Sequence, residues 1–108
     1  MISSVVVTYQ VKPESVEEHL RLIRTVFEEL AAGSREDVAY KVFRLQDGVS
    51  FVHVATSDTP DGASPLPQLA SFREFGRQLA DRVATPPLAT PADMIGSYEP
   101  RGAAGTPS

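Results

Sequence analysis

The sequence has no cysteine, no tryptophan and no asparagine, and each absence excludes a class of site. Without cysteine there is no disulfide, no thiolate metal site and no cysteine nucleophile. No apolar run approaches the roughly 20 residues that a membrane span needs, and no export signal is visible. We therefore expect a cytoplasmic protein that has no membrane partner.

The net charge of the chain is small, and residues of both signs are mixed. The net charge is −4 and the isoelectric point is about 5.0, with acidic and basic residues interspersed along the chain. This balance argues against a nucleic acid as partner. The sequence has no phosphate-binding Gly-rich loop between a strand and a helix, and no serine in a Gly-x-Ser-x-Gly setting. Nucleotide binding and serine hydrolase activity are therefore not indicated.

The 108 residues, 42% of them hydrophobic, predict one domain over residues 1–99 and a flexible tail over residues 100–108. The most informative stretch runs from Val38 to Thr56, where Asp47-Gly48 joins two β-rich runs and predicts a hairpin. The second run has apolar residues on both faces: Val49, Phe51 and Ala55 on one, Val52 and Val54 on the other. We therefore expect neither face of this strand to be exposed to solvent.

Regular elements are predicted on both sides of the hairpin. Residues 2–11 read as a first strand that is apolar on both faces around its middle. A helix should follow, with a capping box from Ser15 to Glu18, and should end near Gly33. Its apolar stripe consists of Val16, Leu20, Ile23, Phe27 and Leu30.

The second half of the chain is rich in proline. Residues 57–67 are predicted to form a surface loop, and residues 69–83 a second amphipathic helix with an ion pair between Arg77 and Asp81. Residues 84–91 contain three prolines and are interpreted as a linker, followed by a short last strand over residues 93–99.

This order, βαββαβ, predicts an α+β fold of the ferredoxin-like class with a four-stranded antiparallel sheet. Two helices can cover only one face of such a sheet. Since the first and third strands are apolar on both faces, a second copy of the sheet should cover the open face, which predicts a homodimer.

Three stretches carry a family resemblance: residues 5–13, with a strand running into Lys12-Pro13; the hairpin strands at 38–43 and 51–56; and the Phe-x-x-Phe segment from Phe72 to Phe75. In these stretches and in element order the chain resembles the antibiotic biosynthesis monooxygenase-like domains of the dimeric α+β barrel superfamily. The resemblance implies a dimeric α+β barrel. That family includes cofactor-free oxygenases acting on aromatic polyketide-like substrates, haem-degrading enzymes and isomerases.

The chain departs from the family at several positions. A common Glu-x-Trp at the end of the third strand is replaced by Ala55 and Ser57, and the haem-ligand position of the haem-degrading branch falls on Gly76. The Trp position of that branch falls near Leu66. These departures disfavour haem degradation, and we predict that the protein uses no cofactor.

Few polar residues remain as candidates for chemistry. His53 lies in an apolar strand and could act as a general base, or could simply pack. Tyr9, Tyr40 and Tyr98 could orient a substrate oxygen, and Arg44 could neutralise an anionic substrate. His19 is expected at the rim of the first helix or in solvent, and two histidines without a carboxylate partner do not predict a metal site.

Two functions are compatible with these candidates. The first is a small homodimeric enzyme that oxygenates or isomerises an apolar or aromatic metabolite in a pocket between sheet and helices, with His53 as base and a tyrosine as anchor. The alternative is a non-catalytic ligand-binding or interaction module of the same fold.

Overall fold

A computed structural model describes residues 2–98, and the predicted tail at residues 100–108 lies outside them. The sheet has four antiparallel strands in the order β2-β3-β1-β4, which confirms the predicted ferredoxin-like α+β class. The elements are β1 (Ile2–Val11), α1 (Val16–Gly33), β2 (Val38–Arg44), β3 (Ser50–Asp58), α2 (Ala70–Arg77), α3 (Leu79–Arg82) and β4 (Val83–Ala92).

The first helix has the predicted extent but is capped differently at both ends. A single 3-10 turn, Pro13–Ser15, precedes it, and the Ser15 side chain makes no capping hydrogen bond, so the predicted capping box is wrong. Ser15 has φ −101° and ψ −1°, so it already lies in a turn, whereas a capping serine usually has an extended backbone. At the other end Gly33 is still helical, and Ser34 takes the left-handed conformation with φ 50°.

The hairpin is confirmed, with a five-residue connection between its strands. Gly48 has φ 80°, a backbone angle that glycine adopts without strain. The carboxylate of Asp47 accepts hydrogen bonds from the backbone N–H groups of Val49 and Ser50, at 3.0 and 2.8 Å. Asp47 and Gly48 therefore act in the turn as the sequence indicates.

The second helical region is interrupted. Gln78, with φ −124° and ψ 30°, separates α2 from α3. Because the helix does not continue through this residue, Arg77 pairs one turn back, with Glu74 at 3.3 Å, and the predicted pairing with Asp81 is wrong.

The last strand is the largest correction. Residues 84–91, interpreted from the sequence as a linker, lie within β4 at the edge of the sheet, while residues 93–98 of the predicted last strand carry no strand. Proline is tolerated on an edge strand, where its missing N–H need not reach a neighbour. The pairing with β1 shifts register opposite Tyr9, where Pro86 and Pro87 together face this one residue.

The two faces of the sheet differ in what covers them. Against the helices lie Tyr9 and Val11 of β1 and Phe51 of β3, packed on Leu22 and Val26 of α1. The opposite face, called here the open face, carries half-buried or exposed side chains: Val6, Thr8, Phe43, Val52, Val54 and Leu88. Within residues 2–98, no helix is both long and apolar enough to cross a membrane.

Candidate functional site

A chain of hydrogen-bonded polar side chains lies between the sheet and the helices. It runs through five residues from five elements: Arg82, His19, Tyr9, His53 and Tyr40. In the described part of the chain every buried polar side-chain atom has a hydrogen-bond partner. We call these five residues the polar chain.

Strand register brings the middle of the polar chain together. His53 of β3 is paired with Val7 of β1 and with Val42 of β2, so Tyr9 and Tyr40 are its diagonal neighbours on the helix-covered face. The Tyr9 hydroxyl lies 2.5 Å from His53 Nε2, and the Tyr40 hydroxyl lies 2.6 Å from His53 Nδ1. Both ring nitrogens of His53 are therefore engaged by phenol hydroxyls.

The other end of the polar chain is formed by α1 and α3. His19 is completely buried, and its Nε2 lies 2.7 Å from the Tyr9 hydroxyl. Arg82 is 7% exposed; its Nε donates to His19 Nδ1 at 3.2 Å and its Nη2 donates to the Phe75 carbonyl. The expectation that His19 lies in solvent or at a rim is wrong, because its helix position points directly beneath β1.

Aromatic rings enclose the two histidines. The ring centroids of Phe51 and Phe75 lie 4.8 and 5.1 Å from that of His19, and Phe75 is 5.7 Å from His53. The guanidinium of Arg82 also lies 5.5 Å from the centre of the Phe75 ring. This apolar wall keeps water from the two histidines, which therefore interact mainly with other members of the polar chain.

Burial sets the protonation states of the residues in the polar chain. It lowers the pKa of His53 to about 4, and burial together with the charge of Arg82 lowers the pKa of His19 to about 4. Burial raises the pKa of Tyr9 and of Tyr40 above that of a free tyrosine. At neutral pH both histidines and both phenols are therefore neutral, and Arg82 carries the only charge of the five.

A cavity of about 530 Å³ that is open to solvent on one side lies beside Tyr40, at the β2 edge of the helix layer. Its lining is mostly apolar, and Phe27 stacks on the Tyr40 ring with centroids 5.2 Å apart. The lining residues are Phe27, Leu30, Ala31, Ser34, Arg35, Val38 and Tyr40. Tyr40 thus belongs both to the polar chain and to a cavity large enough for a small aromatic molecule.

The structure unites three of the five candidates chosen from the sequence. His53, Tyr9 and Tyr40 lie in the polar chain, whereas Tyr98 is 90% exposed and Arg44 is exposed at the end of β2. Residues 2–98 contain no group of three or more His, Cys, Asp or Glu side chains that could hold a metal ion.

Sequence reasoning missed His19 and Arg82 as members of the site. His19 carries a usable signal, since Leu22, Ile23 and Val26 follow it at helical spacing and are all buried. The sequence around Arg82 carries no such signal. The position of this residue depends on β4, which was not predicted because prolines normally indicate a loop.

No protein-family model and no curated protein matches the chain. Solved structures do match it. A Nitrosomonas europaea protein provisionally named an antibiotic biosynthesis monooxygenase is 17% identical, with a TM-score of 0.72 over 87% of this chain and 90% of that one. A structure named antibiotic biosynthesis monooxygenase is 18% identical, with a TM-score of 0.69 over 89% of this chain and 100% of that one.

A conserved protein from Methanosarcina mazei Go1 is similar to the same degree, 19% identical with a TM-score of 0.69 over 85% of this chain and 91% of that one. Identities this low establish a common fold and leave activity open. The chain therefore has the fold of the antibiotic biosynthesis monooxygenase-like structures.

Proposed function

We propose that the protein is a small cytoplasmic enzyme that oxygenates or isomerises an apolar or aromatic metabolite without a metal or an organic cofactor. One observation carries the proposal: Tyr40 lines an apolar cavity of about 530 Å³ and is hydrogen-bonded to His53, a neutral histidine inside the polar chain. The monooxygenase names of similar folds are consistent with this chemistry.

In this proposal Tyr40 contacts the substrate and His53 acts behind it. Both nitrogens of His53 are bound to phenols, so its influence on a ligand passes through the Tyr40 hydroxyl. An activated CH₂ group between aromatic rings loses a proton to solvent water at the open side of the cavity. The carbanion that remains is delocalised onto a neighbouring carbonyl oxygen. A hydrogen bond to that oxygen stabilises the anion.

The oxygenation is balanced without a reductant. The CH₂ group and one O₂ give a ketone and one water, so the substrate carbon supplies all the electrons that reduce O₂. Isomerisation needs only the return of the proton to another carbon. Neither reaction requires a group that the chain would have to bind in addition to its substrate.

The alternative is a ligand-binding module without catalysis. It is favoured by the engagement of both His53 nitrogens, which leaves no free imidazole facing the cavity. The two functions differ in one measurable property, namely whether O₂ is consumed in the presence of a bound aromatic ketone.

The assay uses anthrone, a tricyclic ketone with an activated CH₂ group that is oxidised to anthraquinone. We expect O₂ uptake to rise with enzyme concentration in metal-free buffer. His53→Ala and Tyr40→Phe should each lower turnover by about 10²-fold, the cost of losing a hydrogen bond to the developing anion. Thr25→Val is the matched control, because it removes an exposed hydroxyl of α1 that donates to the Arg21 carbonyl. Anthrone binding without O₂ uptake would favour the binding module.

We also propose that the protein is a homodimer joined through the open face. Val6, Val52 and Val54 form an apolar centre there, and Phe43 and Leu88 remain 51% and 65% exposed. A groove of about 400 Å³ beside Val52 and Leu88 offers space for side chains of a second copy. A symmetric partner would cover all of these residues at once.

Val54→Asp should dissociate this dimer, because a carboxylate at the centre of the interface would lose its water. Sedimentation velocity at micromolar concentration should show a dimer for the natural sequence and a folded monomer for the variant. Thr25→Asp places the same charge on the exposed side of α1 and should remain dimeric. If the unsubstituted protein sediments as a monomer, the proposed dimer is contradicted.

A further inference from the structure

We infer that Arg82 fixes the direction of the polar chain so that Tyr40 points its hydroxyl proton into the cavity, which therefore takes an aromatic ligand with an anionic oxygen. A phenolate or an enolate has this chemistry. The inference rests on the proposed function, because it names the class of ligand for the same cavity.

The argument starts at Arg82, whose guanidinium has donors only. Its Nε–H bonds His19 Nδ1, so this nitrogen must be an acceptor without a proton. A neutral imidazole then carries its proton on Nε2. His19 Nε2 is therefore the donor to the Tyr9 hydroxyl oxygen, 2.7 Å away.

The Tyr9 hydroxyl transmits this direction. Its oxygen accepts from His19, so its single proton is free for the other partner, His53 Nε2 at 2.5 Å. His53 Nε2 is then an acceptor, and the proton of this second imidazole lies on Nδ1. His53 Nδ1 in turn donates to the Tyr40 oxygen at 2.6 Å.

Tyr40 is the last hydrogen-bond donor of this series. Its oxygen already accepts from His53, and its own proton is the one hydroxyl or imidazole proton that no member of the polar chain receives. Tyr40 is one of the residues that line the cavity, and its hydroxyl has no second hydrogen-bond partner among residues 2–98, so we infer that a ligand in the cavity is the acceptor. The opposite direction is excluded, because it would require His19 to accept on both nitrogens.

The direction also favours a negative charge on the ligand. Each bond in a series of aligned hydrogen bonds polarises the next, and this series begins at a buried cation. The positive charge of Arg82 is thus transmitted as donor strength to Tyr40. Arg35, also at the cavity, is bound by Asp37 through two hydrogen bonds at 2.9 and 2.7 Å, so its charge is already balanced.

Arg82, His19, Tyr9 and His53 are positioning residues in this scheme, and Tyr40 alone touches the ligand. The scheme gives the polar chain the properties of a hydrogen-bond donor and acid. A base accepting a proton from the ligand would need a final acceptor, and the guanidinium of Arg82 cannot serve as one.

The first test needs no variant. Nitrogen NMR of the full chain with labelled histidine, at neutral pH, should show His19 protonated on Nε2 and His53 protonated on Nδ1. If His53 carries its proton on Nε2, the inferred direction is wrong. In Arg82→Met the fixed direction should be lost, while Arg77→Met, which removes an exposed arginine paired with Glu74, should leave both tautomers unchanged.

The second test measures the ligand. The probe is 2-hydroxyanthraquinone, whose neutral and phenolate forms differ in colour and whose ring system matches anthrone. Binding to the natural sequence should lower its phenol pKa by about one unit, a tenfold preference for the phenolate. Tyr40→Phe should abolish this preference, and Arg82→Met should reduce it to about threefold or less, whereas Arg77→Met should keep it.

The outcomes separate the inference from the function beneath it. Binding with no preference for the phenolate overturns the inference and leaves the aromatic cavity intact. Failure of both 2-hydroxyanthraquinone and anthrone to bind contradicts the proposed function, and the inferred ligand class with it. If Arg82→Met does not fold, the tautomers of the natural sequence and the Tyr40→Phe titration still decide the question.

Discussion

Acidification from pH 7 to about 4 should reduce the free energy of unfolding by several kcal/mol, mostly through His19 and His53. In the folded protein both have a pKa of about 4, compared with 6.5 for a free histidine. Below pH 6.5 the unfolded chain binds two protons that the folded protein excludes, so stability falls with falling pH until the folded histidines also titrate. The loss amounts to roughly 3 kcal/mol for each histidine.

The groups around the histidines offer no carboxylate that would reverse the sign. His19 faces Tyr9, Arg82, Phe51 and Phe75, and His53 faces both tyrosines of the polar chain and Phe75. Protonating His19 would also place a second cation beside Arg82. Both surroundings therefore disfavour the charged imidazole.

The measurement is a series of urea denaturations between pH 7 and 4. Around pH 5 the stability should change by about 2.7 kcal/mol per pH unit, the slope for two protons. NMR titration of the imidazole protons provides the control, since it assigns the pKa of each histidine in the folded state. A histidine that titrates at or above pH 6.5 would contradict the prediction.

Tyr9→Phe should destabilise the protein by roughly 2 to 5 kcal/mol, the cost of leaving two buried polar groups unpaired. The Tyr9 ring stacks on Phe51 at 5.8 Å, and a phenylalanine preserves this contact. The lost hydroxyl, however, accepts from His19 and donates to His53 in the inferred scheme, and both partners are buried. The substitution therefore interrupts the polar chain at its middle.

Tyr40→Phe is the matched control for this measurement. It removes the same hydroxyl from a half-buried position that has one partner in the chain, and should cost only about 1 kcal/mol. Urea denaturation compares the two variants directly. If the Tyr9→Phe variant is as stable as the Tyr40→Phe variant, the middle of the polar chain contributes little to the free energy of unfolding.

The fold could be predicted from the sequence wherever one residue period dominated. The presence of α1 and the alternation around Asp47-Gly48 follow directly from helix and strand geometry. The predicted apolar stripe of α1 is displaced, however, because the buried residues of this helix are His19, Leu22, Ile23 and Val26. The last strand could not be predicted, because three prolines normally mark a loop and only the edge position in the sheet makes them acceptable. That position is a property of the assembled sheet.

The site was predictable in part for the same reason. His53, Tyr9 and Tyr40 are conspicuous polar residues in apolar strands, and strand register places the tyrosines diagonally beside the histidine. His19 was missed because a histidine on a helix is usually expected to be exposed to solvent. The burial of His19 depends on partners far along the sequence. Arg82, the end that sets the direction, is 63 residues from His19.

The prolines of β4 have a consequence for how copies of this chain can meet. A bare sheet edge is a template on which another strand can add, and uncontrolled addition leads to fibres. Pro86, Pro87 and Pro91 remove three backbone donors from this edge strand, and the register shift opposite Tyr9 bends it. Strand addition along β4 is therefore disfavoured, which makes the prolines of this edge a safeguard against aggregation.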